Sequence, residues 1–207
     1  SILHTIVDHV VLLSMEKEKI RHMNEQFSHL GISAKLFVGI AGKDVQHLYP
    51  SAAAIEHGVN ALGNLESFKT IMKQYQDSKA IALFEDETIL VHDFNEHLKT
   101  FMQEVPKTWD MIYFSANHIY KPERITENVY RIMGSWGIHG VILNKKVYDK
   151  VIKMANKVAA PFDVVLHDLQ YETEAYCINP HISYPYPSYS SVQQSFSFYN
   201  FPSPNMI

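Results

Sequence analysis

Ala80-Ile81-Ala82-Leu83-Phe84 runs without a polar residue into Glu85-Asp86-Glu87. The apolar run reads as a short buried strand, and the carboxylates that end it put fixed negative charge at the carboxyl edge of a sheet, where open α/β folds hold their ligands. Clustered carboxylate oxygens suit hard divalent ions such as Mg²⁺ or Mn²⁺, which keep open positions for phosphate oxygens. The same residues also suit a plainer role, capping the next turn, because acidic clusters often begin helices and loops.

Upstream of this strand, residues 6–13 read as a buried strand and 16–30 as a helix carrying Ile20, Met23, Phe27 and Leu30 on one face, ended by Gly31. Residues 35–40 form the next predicted strand, so the chain opens as β-α-β. Ala41-Gly42-Lys43-Asp44 reads as a turn, and Leu65, Phe68, Ile71, Met72 and Tyr75 mark the inner face of a helix over 62–75.

Downstream, 94–105 is helical until Pro106, 111–114 is a buried strand, and 116–132 is polar and irregular. Short strands over 129–133 and 141–143 precede a helix over 145–158. Strand and helix alternate, which predicts an α/β fold with a central, mainly parallel mixed sheet flanked by helices. One domain is expected over residues 1–183; residues 184–207, rich in Tyr, Phe, Pro and Ser and without helical or strand period, are expected to wrap the body as a tail.

The 207 residues are 46% hydrophobic, enough for one sizeable core. A net charge of −4, with eighteen basic and twenty-two acidic residues in no long blocks, offers no footprint for nucleic acid or an anionic membrane. The single cysteine, Cys177, excludes an internal disulfide and reads as an inert core thiol. With no signal-peptide core and no apolar run of transmembrane length, a reducing, cytoplasmic setting is expected. The chain begins at Ser1 without methionine, as in a trimmed chain or one domain of a longer protein.

The order of segments resembles the GT-A type glycosyltransferases, specifically glycosyltransferase family 25, the lipopolysaccharide-biosynthesis and collagen-glycosyltransferase group. The chain looks like a compact, stand-alone form of the kind carried by large DNA viruses, for which the host cytoplasm is the setting. Val10-Val11-Leu12-Leu13-Ser14 and Arg21 resemble the opening strand and arginine that receive the nucleoside; Ala41-Gly42-Lys43-Asp44 resembles the turn beside the base. Gly63 through Ser67 resembles the segment near the donor phosphates, with Phe68 where the family has histidine. Phe84-Glu85-Asp86-Glu87 resembles the family's Glu-Asp-Asp metal motif, with Glu87 in place of the last aspartate.

Trp109-Asp110-Met111-Ile112-Tyr113 and Gly140-Val141-Ile142-Leu143 resemble the strands that follow. Pro161-Phe162-Asp163 resembles an acceptor-side element and Ser191-Val192-Gln193-Gln194-Ser195 a C-terminal glutamine-serine pair. The resemblance implies a nucleotide-sugar donor, favouring a UDP-sugar, a glycan or glycoprotein acceptor, and Mn²⁺ or Mg²⁺ held by Asp86 and Glu87.

Sugar transfer needs the leaving diphosphate neutralised and, in an inverting displacement, a carboxylate to take the acceptor proton. Asp163 is the candidate base, although aspartate after proline equally suits a helix start. Arg21 reads equally as a nucleotide partner or a solvated helix residue, and Asp110 as structural or a sugar-hydroxyl partner. None of the twelve histidines forms a close ligand motif; His181, after a late apolar segment, is kept as a ligand reaching the metal from across the site. The alternatives are a metal-dependent phosphohydrolase or nuclease and a non-catalytic nucleotide- or glycan-binding module.

Overall fold

A computed structural model describes residues 1–186, with the backbone of 188–190 and 195–197. After a single helical turn, α1 (Leu3–Ile6), the chain runs through β1 (His9–Ser14), α2 (Lys17–Leu30), β2 (Lys35–Val38), α3 (Gly42–Val45), α4 (Ser51–His57) and α5 (Val59–Gln74). Next come β3 (Ala80–Glu85), β4 (Thr88–Leu90), α6 (Phe94–Glu104), β5 (Met111–Tyr113), β6 (Asn117–His118), β7 (Glu123–Arg124), β8 (Val129–Arg131), β9 (Ser135–Trp136) and β10 (Val141–Asn144). The chain closes with α7 (Tyr148–Ala155), α8 (Phe162–Leu169), β11 (Ala175–Ile178), β12 (Ser183–Pro185) and a hairpin of β13 (Ser188–Ser190) and β14 (Ser195–Ser197).

An eight-stranded sheet in the order β2-β1-β3-β10-β5-β11-β8-β7 forms the centre. β1 pairs in parallel with β2 and β3, and β5 with β11, whereas β10 lies antiparallel between β3 and β5. Because β3 and β5 both oppose β10, the strands β1, β3, β5 and β11 all end on one edge.

The apolar runs of β1 and β3 are continuous because both faces of the sheet are covered. Alternate residues Val11, Leu13, Ile81 and Leu83 join α5, α7 and α8 in one core. Val10, Leu12, Ala82 and Phe84 face the other way, toward α2 and α6. Phe84 is fully buried, with the ring of Phe27 edge-on at 5.2 Å. Burial of such a side chain contributes roughly 1.5–3 kcal/mol.

Gly31 ends α2 in the left-handed region at φ 65°, and the Ile32 N–H returns to the Phe27 carbonyl at 2.8 Å. Gly42 and Gly63 serve close approach: a Cβ on Gly42 would lie 1.9 Å from the Val59 carbonyl oxygen, and one on Gly63 2.3 Å from that of Ile40. The Ser67 hydroxyl completes this joint, accepting from the Ile40 N–H at 2.8 Å and donating to the Gly63 carbonyl at 2.7 Å.

Several elements differ from the sequence expectations. The predicted turn at 41–44 is the start of α3, and the helix predicted from 145 begins as a 3₁₀ turn before α7. The start of the aromatic tail is not without strand structure: β12 pairs antiparallel with β4, and the Tyr186 N–H donates to the Glu87 carbonyl at 2.8 Å. On the outer side of β4, the Gln26 carboxamide donates to the Thr88 carbonyl at 2.9 Å and accepts from the Leu90 N–H at 2.7 Å. Ser191 to Gln194 lie outside the described residues.

Candidate functional site

Four neighbouring segments meet at the carboxyl end of β3. β1 ends in Ser14, Glu16 immediately precedes α2 and Lys19 lies in its first turn, α5 contributes Asn64, and the first turn of α8 contributes Asp163. Glu85, Asp86 and Glu87 occupy the edge between them, all partly exposed.

The three carboxylates are held by three different partners. The Asn64 amide donates to Glu85 Oε1 at 2.9 Å while its own oxygen accepts from the Phe162 N–H at 3.0 Å. One side chain thus ties the end of β3 to the start of α8. The Ser14 hydroxyl donates to Asp86 Oδ2. Lys19 Nζ lies 2.9 Å from Glu87 Oε1 and 2.8 Å from Glu16 Oε1.

Negative charge exceeds its compensation here. Burial, with Asp163, Asp86 and Glu87 nearby, outweighs the Asn64 hydrogen bond and pushes the Glu85 carboxyl up to about 8. Asp86 is also raised: burial, aided by Glu87 and Glu16, exceeds the opposing effects of Ser14 and Lys19. Burial raises Asp163 against the effect of the Val164 N–H and His167. Lys19 is raised because Glu16 and Glu87 outweigh its own desolvation. An all-oxygen donor set with surplus negative charge fits a hard divalent cation.

Of the expected site residues, Ser14, Glu85, Asp86, Glu87 and Asp163 come together. Leu12 and Leu13 are buried in β1, where they serve the core on opposite faces. Ala41 lies at the joint where Gly42, Gly63 and Ser67 hold α5 against the chain after β2. Arg21 is not at this edge: it pairs with Glu18 at 2.6 Å and borders a shallow groove on the outer face of α2. Lys19, about 200° around the helix from Arg21, is the basic residue that reaches the carboxylates, and the sequence reading missed it.

Asp110 belongs to the opposite edge, where it accepts from the Glu174 N–H at 2.9 Å and pairs with Lys146 at 3.2 Å. His181 is also elsewhere. The ribbon of β4 and β12 sets Tyr186 against Glu87 and Ile182 against Val91, so His181 lies at the far end from the acidic triplet. Near Asp163, the Trp136 ring stacks on His167 at 3.8 Å, a pair that carried no signal in the sequence because it joins β9 to α8.

No protein-family model and no curated protein matches the chain, so the likeness to family 25 remains a resemblance. Among solved structures, the chain is similar to A197 from STIV at 13% identity, covering 86% of this chain and 85% of that one with a TM-score of 0.47. It is similar to a glycosyltransferase involved in the glycosylation of the major capsid of PBCV-1 at 8% identity, over 72% of this chain and 66% of that one, TM-score 0.40. It is similar to the inositol-1-phosphate CTP transferase from T. maritima at 13% identity, over 82% and 84% of the two chains, TM-score 0.49. Among the described residues no helix is long and apolar enough to cross a membrane.

Proposed function

We propose that this chain is a metal-dependent glycosyltransferase that moves a sugar from a nucleotide sugar, a UDP-sugar first among them, to a hydroxyl of a glycan or glycoprotein. The observation that carries this reading is the under-compensated carboxylate group at the end of β3, where Asp86 stays raised despite Ser14 and Lys19. Asp86 and Glu87 are the residues to hold Mn²⁺ or Mg²⁺, which when bound offsets the charge of the leaving diphosphate.

The remaining roles fall to the chain itself. Lys19, already between Glu16 and Glu87, adds a positive charge for the phosphates. Glu85, protonated near neutrality, keeps the edge from accumulating a further negative charge. Asp163 takes the acceptor proton in an inverting displacement, and its raised pKa strengthens it as a base. Asn64 sets the distance between Glu85 and the helix that carries Asp163. The Trp136 ring, backed by His167, offers a flat apolar surface to a sugar face.

The Lys19–Glu87 pair favours a second reading, a non-catalytic nucleotide-binding module in which the ammonium meets the diphosphate without a metal. Thermal melting with UDP, GDP, CMP and UDP-sugars, each with and without Mn²⁺, separates the two, since a ligand of the native state raises its apparent stability. A UDP-sugar shift that requires Mn²⁺ and disappears in Asp86→Ala supports the transferase. A shift indifferent to Mn²⁺, without sugar transfer, supports the module. No shift with any nucleotide sinks both.

A further inference from the structure

A second group of donor atoms lies on the same edge of the sheet. Among the described residues, His118, Cys177 and His181 form a group of three metal-ligating side chains whose donor atoms all lie within 4.8 Å of one another. Cys177 sits near the end of β11, opposite Tyr113 of β5, His118 ends β6, and His181 follows the cis Asn179–Pro180 peptide. No spacing links these positions in the sequence.

The arrangement has the features of a ligand set. His118 Nδ1 is engaged with the Ser135 hydroxyl at 2.8 Å, which fixes the ring and directs Nε2 inward. That Nε2 atom is buried and has no hydrogen-bond partner among the described residues. The His118 and His181 rings lie 5.7 Å apart, and Cys177 and His181 are almost wholly buried. Ligand atoms around a tetrahedral zinc ion stand about 3.3–3.6 Å apart, as follows from its bond lengths. The observed limit of 4.8 Å lies about 1.2–1.5 Å beyond that separation, so the three side chains close in as the ion binds.

We propose that His118, Cys177 and His181 bind a zinc ion through two imidazole nitrogens and one thiolate. Imidazole and thiolate donors select zinc over Mg²⁺ or Mn²⁺, the ions that suit the carboxylates. Binding forms a sulfur–zinc bond as the Cys177 thiol gives its proton to solvent, and water completes the fourth position. The ion joins three segments: the end of β11, the β6–β9 pair and the chain entering β12. β3, β10, β5 and β11 are consecutive in the sheet, so three strand spacings, roughly 14 Å, separate this site from the acidic triplet. The two sites stand or fall independently.

The test is cobalt titration of chelator-treated protein, with zinc displacement and melting. Expected are a tetrahedral cobalt spectrum with a thiolate-to-cobalt charge-transfer band, one ion per chain, about one proton released per ion, and loss of the band when zinc is added. The band should persist in Asp86→Asn and disappear in Cys177→Ser and His118→Gln, with zinc raising the melting temperature of the parent chain and of Asp86→Asn but of neither ligand variant. If Cys177→Ser fails to fold, His118→Gln, at a partly exposed position, carries the comparison. An octahedral spectrum without the thiolate band, or a band unchanged in both variants, overturns the proposal.

Discussion

The two donor groups on the carboxyl edge of the sheet are built on opposite chemistry. At β3 the donors are oxygens, partly exposed, each tied to a different neighbour: Glu85 to Asn64, Asp86 to Ser14, Glu87 to Lys19. At β11 they are nitrogen and sulfur, mostly buried and converging on one point. The first group holds surplus negative charge on oxygen donors, a set that suits a hard cation. The second contains no carboxylate, and selects by donor softness and geometry. A sheet edge therefore positions side chains without deciding what they bind.

The largest expected effect breaks the comparison on one side. Asp86→Asn should lower Mn²⁺-dependent sugar transfer by about 10²–10³-fold, the scale for lost transition-state electrostatics, and leave the cobalt charge-transfer band intact. Loss of both together would show that the regions are coupled.

Next comes the pH dependence of stability. Glu85 is raised from 4.5 to about 8 in the folded chain, so the native state keeps a proton that the unfolded chain releases. Its contribution to stability is full below about pH 4.5 and is lost as pH rises through about 8. Glu85→Gln should flatten this decline, with a gain on the order of a few kcal/mol at the alkaline end, read by urea unfolding across that range.

Asn64→Ala leaves Glu85 and the Phe162 N–H without their partner and should cost about 1–3 kcal/mol. Its loss in kcat should exceed that expected from stability alone if Asn64 holds the Asp163 helix in place. Ser14→Ala, the mildest change, should cost about 1 kcal/mol. By removing the hydrogen bond that favours ionised Asp86, it should shift the acid limb of Mn²⁺ binding to higher pH. An unmoved limb would mean that Asp86 does not control metal entry.

β1, α2 and β3 were readable because strands covered on both faces are continuous apolar runs and Gly31 marks a left-handed helix end. The antiparallel insertion of β10 between β3 and β5 was not, since pairing direction leaves no local trace. In the site, Glu85 to Glu87 announced themselves by following an apolar strand. Lys19 did not, because its approach depends on how α2 is rotated, and Asn64 links positions 64, 85 and 162 that only folding brings together. Cys177, read as an inert core thiol, gains two imidazole neighbours from segments remote in sequence.

The Gln26 carboxamide makes the same pair of bonds to β4 that the backbone of an adjoining strand would make. With β12 on the other side, this ribbon presents no open row of donors and acceptors there to a passing chain. A single glutamine on α2 thus stands in for a further strand along a buried edge, and Gln26→Ala leaves the Thr88 carbonyl and the Leu90 N–H without that partner.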